Sequence, residues 1–298
     1  MTASSFVQNL INAIALGSTY ALFAIGYTQV YSIVRLINMA HANIFAAGIV
    51  IAFGLLKLFG ANAWFAAYAL AILLTAMIGV TVERIAYKPM RDAPRVSIII
   101  SAIAMSYILE NLTIIFFGGQ YKGFLRPAFF DRAIVVGGVS IQVVNIFIVA
   151  LTMILLVAVN LTLRHTRVGR AMRSISDDVV AVKLMGCNVN SIISFTFLLG
   201  SALAAVAGIL IGIKYPQVNA YIGNVYGNKA FVAAIVGGIG SVSGAVIGGI
   251  LIGVFEIMFV AFVPSLAGLR DVMAFALLII VLLIKPTGFM GKKGKDKI

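Results

Sequence analysis

Long apolar runs separated by short polar breaks occupy almost the whole chain. They extend over Phe6 to Ile33, Ala42 to Phe59, Ala63 to Ile85, Val96 to Phe117, Ile141 to Leu163, Ile192 to Ile213, Ala230 to Ile239, Ala245 to Val263 and Val272 to Ile284. A hydrocarbon core of about 30 Å needs roughly 20 apolar residues per helix, because each residue advances the axis by about 1.5 Å. The pattern therefore predicts an all-α, polytopic transmembrane helical bundle of about eight or nine membrane segments. The seventh run, Ala230 to Ile239, is short for a crossing.

Two breaks interrupt the helical regularity. From Ala234 to Gly249 the chain reads A-I-V-G-G-I-G-S-V-S-G-A-V-I-G-G. Gly237, Gly238, Gly240 and Gly244 make one uniform helix improbable there. The stretch predicts a turn at depth or a close helix contact of the small-xxx-small kind. The second break, Arg35 to Asn43, presses polar residues between two hydrophobic runs with almost no loop, as a tight turn or part of a solute path.

One segment looks like soluble protein. Gly169 to Gly186 reads G-R-A-M-R-S-I-S-D-D-V-V-A-V-K-L-M-G. Ser176 is a suitable N-cap, Asp177 and Asp178 suit the positive end of a helix dipole, and Gly186 can end the helix as its C′ residue. Val179, Val182 and Met185 form an apolar stripe, with Asp178 and Lys183 projecting elsewhere. Such a helix can dock into a groove of a soluble partner or rest as a connector on lipid headgroups.

Composition narrows the class. With 62% hydrophobic and 10% charged residues the chain is no ordinary soluble domain. Its +13 net charge is placed rather than spread: 15 of the 22 Lys and Arg fall at Arg35, at 84–95, at 164–183 and at 285–297. The positive-inside rule makes those segments cytoplasmic, with the N-terminus outside and the C-terminus inside. These charges flank spans without interleaved aromatics, which argues for topology and against nucleic acid. The first apolar run lacks a basic leader and is too long for a cleaved signal. The tail 291–298 is lysine-rich and suits disorder or the lipid surface. A lone cysteine, Cys187, forms no intrachain disulfide, and His41 and His165 make no metal cluster.

Catalytic signatures are missing. There is no G-x-x-x-x-G-K-[ST] loop for ATP, and Gly240 to Gly244 does not read G-x-S-x-G, so an intramembrane hydrolase ranks last. Charged groups within spans cost on the order of 3 kcal/mol, which makes Glu110 and Glu256 candidates by default. Neither has an obvious basic partner within a span, so each is expected as a neutral carboxyl bonded to a nearby helix. Glu83 and Arg84 read as a boundary anchor. So few fixed charges suit passage of a neutral or zwitterionic solute. A faint echo between Gly17-Ser18 and Gly200-Ser201 does not establish a repeat.

The stretches L-G-S-T-Y-A-L-F-A-I-G-Y-T-Q-V-Y-S-I-V-R-L-I-N-M-A-H from Leu16, V-E-R-I-A-Y-K-P-M-R from Val82, the segment Gly169 to Gly186, K-A-F-V-A-A-I-V-G-G-I-G-S-V-S-G-A from Lys229 and K-P-T-G from Lys285 occur in one order over nearly the whole chain. In these the chain resembles the first of the two permease subunits of branched-chain amino acid ABC importers. The resemblance implies a single permease domain over 1–298 in a bacterial inner membrane. Its implied partners are a second, homologous permease, two cytoplasmic ATPase subunits and a periplasmic solute-binding protein. ATP and magnesium would bind the ATPases, leaving this chain without a cofactor. Under it, 164–191 becomes a coupling loop whose contacts are Arg170, Arg173, Ser176, Asp177, Asp178, Lys183 and Gly186. Asn38, His41, Asn43, Glu110 and Asn111 are the expected substrate-pathway residues. The chain departs from the resembled pattern at Ala42 and Asn43, where glycine and an acid are common, and at Glu110, where a neutral amide is common. Other solutes, such as urea or short amides, and a free-standing channel or carrier are the competing expectations.

Overall fold

The computed structural model describes residues 2–91 and 93–291. Its helices are α1 (Ala3–Val34), α2 (His41–Phe59), α3 (Trp64–Val82), α4 (Arg95–Phe117), α5 (Val143–His165), α6 (Arg167–Asp177), α7 (Val179–Leu184), α8 (Val189–Lys214), α9 (Ile222–Gly237), α10 (Val242–Phe262) and α11 (Arg270–Ile284). Among the described residues, eight helical segments are long and apolar enough to cross a membrane, so the chain is a multi-pass, all-α membrane protein. The basic tail at 292–298 lies outside the described residues.

Similar hydropathy leads to different places in the bundle. Every residue from Ala15 to Val30 of α1 and from Leu203 to Ile213 of α8 is buried. These two helices pack together where Gly26 meets Gly200. In α5 and α11, by contrast, Ile154, Leu161, Leu283 and Ile284 are exposed, as helices facing lipid require. Small residues set this division, because without a hydrophobic drive between helices in lipid, close backbone approach supplies the packing. A Cβ at Gly17 would lie 2.8 Å from Ile250 Cα, and Gly249 and Gly253 abut Ala21 and Gly17. α1 and α10 thus meet almost backbone to backbone.

The glycine-rich stretch from 234 to 249 is a turn between α9 and α10. Gly238 and Gly240 adopt φ of 105° and 92°, a region that L side chains rarely enter. Ser241 then caps α10, accepting from Gly244 N at 3.1 Å. The turn is not at depth. Gly240 O accepts from Ser32 Oγ near the end of α1, and Met290 N donates to Gly237 O. Close contact is also realised, since Gly237 lies against Gly244 and Gly248 against Ala233.

The seventh segment begins eight residues earlier than its apolar run suggests. α9 has 16 residues, about 24 Å at the helical rise, and runs between the two ends of the bundle. At one end lie Arg35, Ser176, Gly240 and Gly291. At the other, Ser140 N donates to Gln8, Lys214 Nζ to Asn12 O at 3.2 Å and Phe124 N to Pro216 O at 3.0 Å. Four short strands cover that second end, where the hydropathy pattern predicts none. β1 (Lys122–Gly123) pairs antiparallel with β4 (Gln217–Val218), and β2 (Ala133–Val136) with β3 (Val139–Gln142) in the register Ala133↔Gln142. Gly137 and Gly138, both at positive φ, turn that hairpin. Ile141 is consequently a strand residue, and α5 starts at Val143.

Candidate translocation groove and coupling segment

α1, α2, α4 and α9 enclose a groove of about 460 Å³, open on one side. Its wall includes Tyr27, Ala42, Ile103, Ser106, Tyr107, Glu110, Asn224, Asn228 and Phe231. Apolar and aromatic side chains dominate, with a few polar groups converging, as in sites for small molecules. Glu110 is half-buried, and its Oε2 accepts from Asn224 Nδ2 at 3.3 Å. A smaller cavity of about 220 Å³ adjoins it, lined by Asn224, Val225, Asn228, Lys229, Asp271 and Phe275. Asn224 and Asn228 serve both because residues four apart share a helix face.

Of the five expected pathway residues, Glu110 alone lines the groove. Asn43 reaches its edge, donating to Ser106 O at 2.9 Å and to Ser106 Oγ at 2.8 Å, which joins α2 to α4. Asn38 is buried in the turn before α2, where Oδ1 accepts from Ala40 N at 3.1 Å and Tyr87 OH at 3.0 Å. His41 is fully buried, its ring 4.5 Å from that of Tyr27 and 5.3 Å from that of Phe23. Asn111 points away, donating to Tyr107 O of its own helix. Asn224, Asn228 and Lys229 escape the sequence reading because the seventh run is taken to start at Ala230. The available signal is an asparagine pair at i and i+4 beside a lysine in an otherwise apolar stretch.

Glu256 has the basic partners that the apolar pattern hides. Its Oε1 accepts from Lys229 Nζ at 2.8 Å and from Arg270 Nε at 2.7 Å, and its Oε2 from Tyr20 OH at 2.9 Å. Lys229 Nζ also meets Asp271 at 2.7 Å. Two acids and two bases from α9, α10 and α11 therefore balance, with Tyr20 adding α1. Glu83 is likewise buried, paired with Arg91 and accepting from Ser194 Oγ at 2.7 Å, whereas its expected neighbour Arg84 is exposed. Glu83 opens a π-helical turn, with Lys88 N donating to Glu83 O at 2.8 Å. That turn ties the end of α3 to the start of α8.

The segment from Gly169 to Gly186 is two helices, not one. Asp178, rather than Ser176, is the internal N-cap: its carboxylate accepts from Val180 N at 2.8 Å and Ala181 N at 3.1 Å. Asp178 lies outside helical φ/ψ and so ends α6 and starts α7. Ser176 instead belongs to α6, and Arg35 Nη2 donates to its carbonyl at 2.7 Å. Gly186, with φ of 78°, closes α7 as expected. Val182 is buried, but Val180, Leu184 and Met185 project outward, Leu184 being 84% exposed. Arg170, Arg173, Asp177 and Lys183 of the same two helices are also exposed.

A multi-pass bundle with an open, mostly apolar groove, a neutralised ion cluster and a protruding helix pair at one end is the architecture of a membrane transport component. Comparison with known proteins gives the family. Residues 9–282 match the family described as branched-chain amino acid transport system, permease component, and the chain belongs to that family. It is 40% identical to the high-affinity branched-chain amino acid transport system permease protein BraD of Pseudomonas aeruginosa, over 98% of both chains. It is 39% identical to the permease protein LivH of Escherichia coli, again over 98% of each. Among solved structures, PsaBC from Streptococcus pneumoniae in complex with Fab shares the fold, with a TM-score of 0.50 and 14% identity over 94% of this chain and 92% of that one.

Proposed function

We propose that the chain is the permease subunit of an ATP-driven importer that moves branched-chain amino acids inward across a bacterial inner membrane. It works as one transmembrane domain beside a second permease, with two ATPase subunits on the cytoplasmic side and a solute-binding protein outside. The observation that supports this most directly is the α6–α7 segment. It presents Val180, Leu184 and Met185 to the aqueous side and is tied to the end of α1 by Arg35 and Ser176. An ATPase that grips α7 and moves would pull on the helix at the centre of the bundle, a rigid-body route to alternating access. Arg84, Arg91, Arg164, Arg167, Arg170 and Arg173 fall in segments on that side, which supports its assignment as cytoplasmic by the positive-inside rule. The open side of the groove is where the second permease would complete the path.

The test is uptake of labelled leucine by proteoliposomes holding the assembled importer, with and without internal ATP and external binding protein. Uptake is expected to need both. Leu184→Asp is expected to lower uptake at least about tenfold, equivalent to ~1.4 kcal/mol, with less ATPase co-purifying. Uptake by this chain alone, indifferent to ATP, would make it a channel or carrier. Uptake of urea or a short amide in place of leucine would change the solute and leave the coupling intact.

A further inference from the structure

The geometry points to an amino-acid subsite inside the groove: Glu110 takes the solute's α-ammonium, and Asn224 and Asn228 offer amides to its α-carboxylate. The assignment rests on the reading of the chain as an amino-acid permease and goes further by naming the recognising groups. It starts from the charges. Glu256 is saturated by Lys229, Arg270 and Tyr20, and Lys229 already holds two carboxylates. Neither is free to bind a visitor. Among the described residues, Glu110 is the carboxylate on the groove wall, and it enters no ion pair. Its one hydrogen-bond partner is a neutral amide at 3.3 Å.

A carboxylate in an apolar span is costly and is tolerated where water or a cation reaches it. A passing ammonium is such a cation, with three donors for the oxygen positions that Asn224 leaves open. Asn228 lies one helical turn, about 6 Å, along α9 from Asn224. That spacing lets an amide meet the carboxylate of a solute whose ammonium rests on Glu110. Ile103 and Phe231 on the same wall are suited to an aliphatic side chain. Among the described residues the groove wall carries a carboxyl group and no basic side chain, so the ammonium end is the more strongly recognised.

The assembled importer in proteoliposomes decides this. Glu110→Gln is expected to cut leucine uptake about tenfold with the partners still co-purifying, and Glu110→Asp to restore most of it. As an independent readout, Asn228→Cys is made in a Cys187→Ser background, since Cys187 is exposed. A cationic methanethiosulfonate is expected to label it faster than a neutral one, a preference erased by adding Glu110→Gln. Leucine with binding protein is expected to slow the labelling. Undiminished uptake in Glu110→Gln, equal loss in both Glu110 variants, or labelling blind to reagent charge and to leucine would overturn the subsite. If the unmodified importer takes up no branched-chain amino acid, the functional reading fails instead, and the charge preference still reports whether Glu110 faces the groove.

Discussion

Glu256 and Glu110 are both carboxylates set in apolar helices of one bundle, and their surroundings are opposites. Glu256 is 1% exposed and receives three hydrogen bonds from Lys229, Arg270 and Tyr20. Glu110 is half-buried, faces an open groove and has one long bond from an amide. Burial of a charge is tolerable when partners meet every lone pair and costly otherwise. The first carboxylate is therefore a clamp that fixes α1, α9, α10 and α11, whereas the second keeps capacity for something that comes and goes. A charge within a span marks function only after its partners have been counted.

The largest expected effect falls on the clamp. Glu256→Ala removes the shared acceptor and leaves Lys229 buried against Asp271 alone, which should cost about 3–5 kcal/mol. Thermal unfolding of the solubilised importer, followed by size-exclusion, measures it, and an unchanged midpoint would remove the contrast between the two sites. The double change Lys229→Met with Glu256→Met takes out both buried partners, and its loss should be well below that of Glu256→Ala alone. Tyr20→Phe deletes one hydrogen bond to a charged acceptor and should cost roughly 1.5–3 kcal/mol in the same assay. Smallest of all, Glu110→Gln should shift stability by less than about 0.5 kcal/mol, even as it lowers uptake. A Glu110 variant as unstable as Glu256→Ala would make both carboxylates structural.

Much of the bundle is legible in the chain because crossing a bilayer imposes length and apolarity residue by residue. The spans, the polar turn after α1 and the helix-closing Gly186 all follow from local rules. The site was legible only in part. Glu110 stands out as a charge in a span and lines the groove, but Asn38, His41 and Asn43 lie off its wall, Asn38 bonded to Tyr87, His41 packed between Phe23 and Tyr27, and Asn43 stapling α2 to α4. Asn224, Asn228 and Lys229 were hidden because they fall just before an apolar run that hydropathy starts at Ala230. The break at Asp178 was missed since Ser176 and Asp178 are equally good caps by type, and contacts with the end of α1 assign Ser176 to α6.

By itself the sequence determined that this is an all-α membrane protein, where most of its spans run, and which segments carry the positive charge. Those properties depend on each stretch's own transfer from water to lipid. Only the tertiary structure decided which apolar helices are central and which face lipid, that Glu256 is neutralised by groups on three other helices, and that Glu110 shares a groove with Asn224 and Asn228. Such pairings depend on side chains as much as 236 positions apart, as Tyr20 and Glu256 are, and a one-dimensional pattern holds no record of which helix faces will meet.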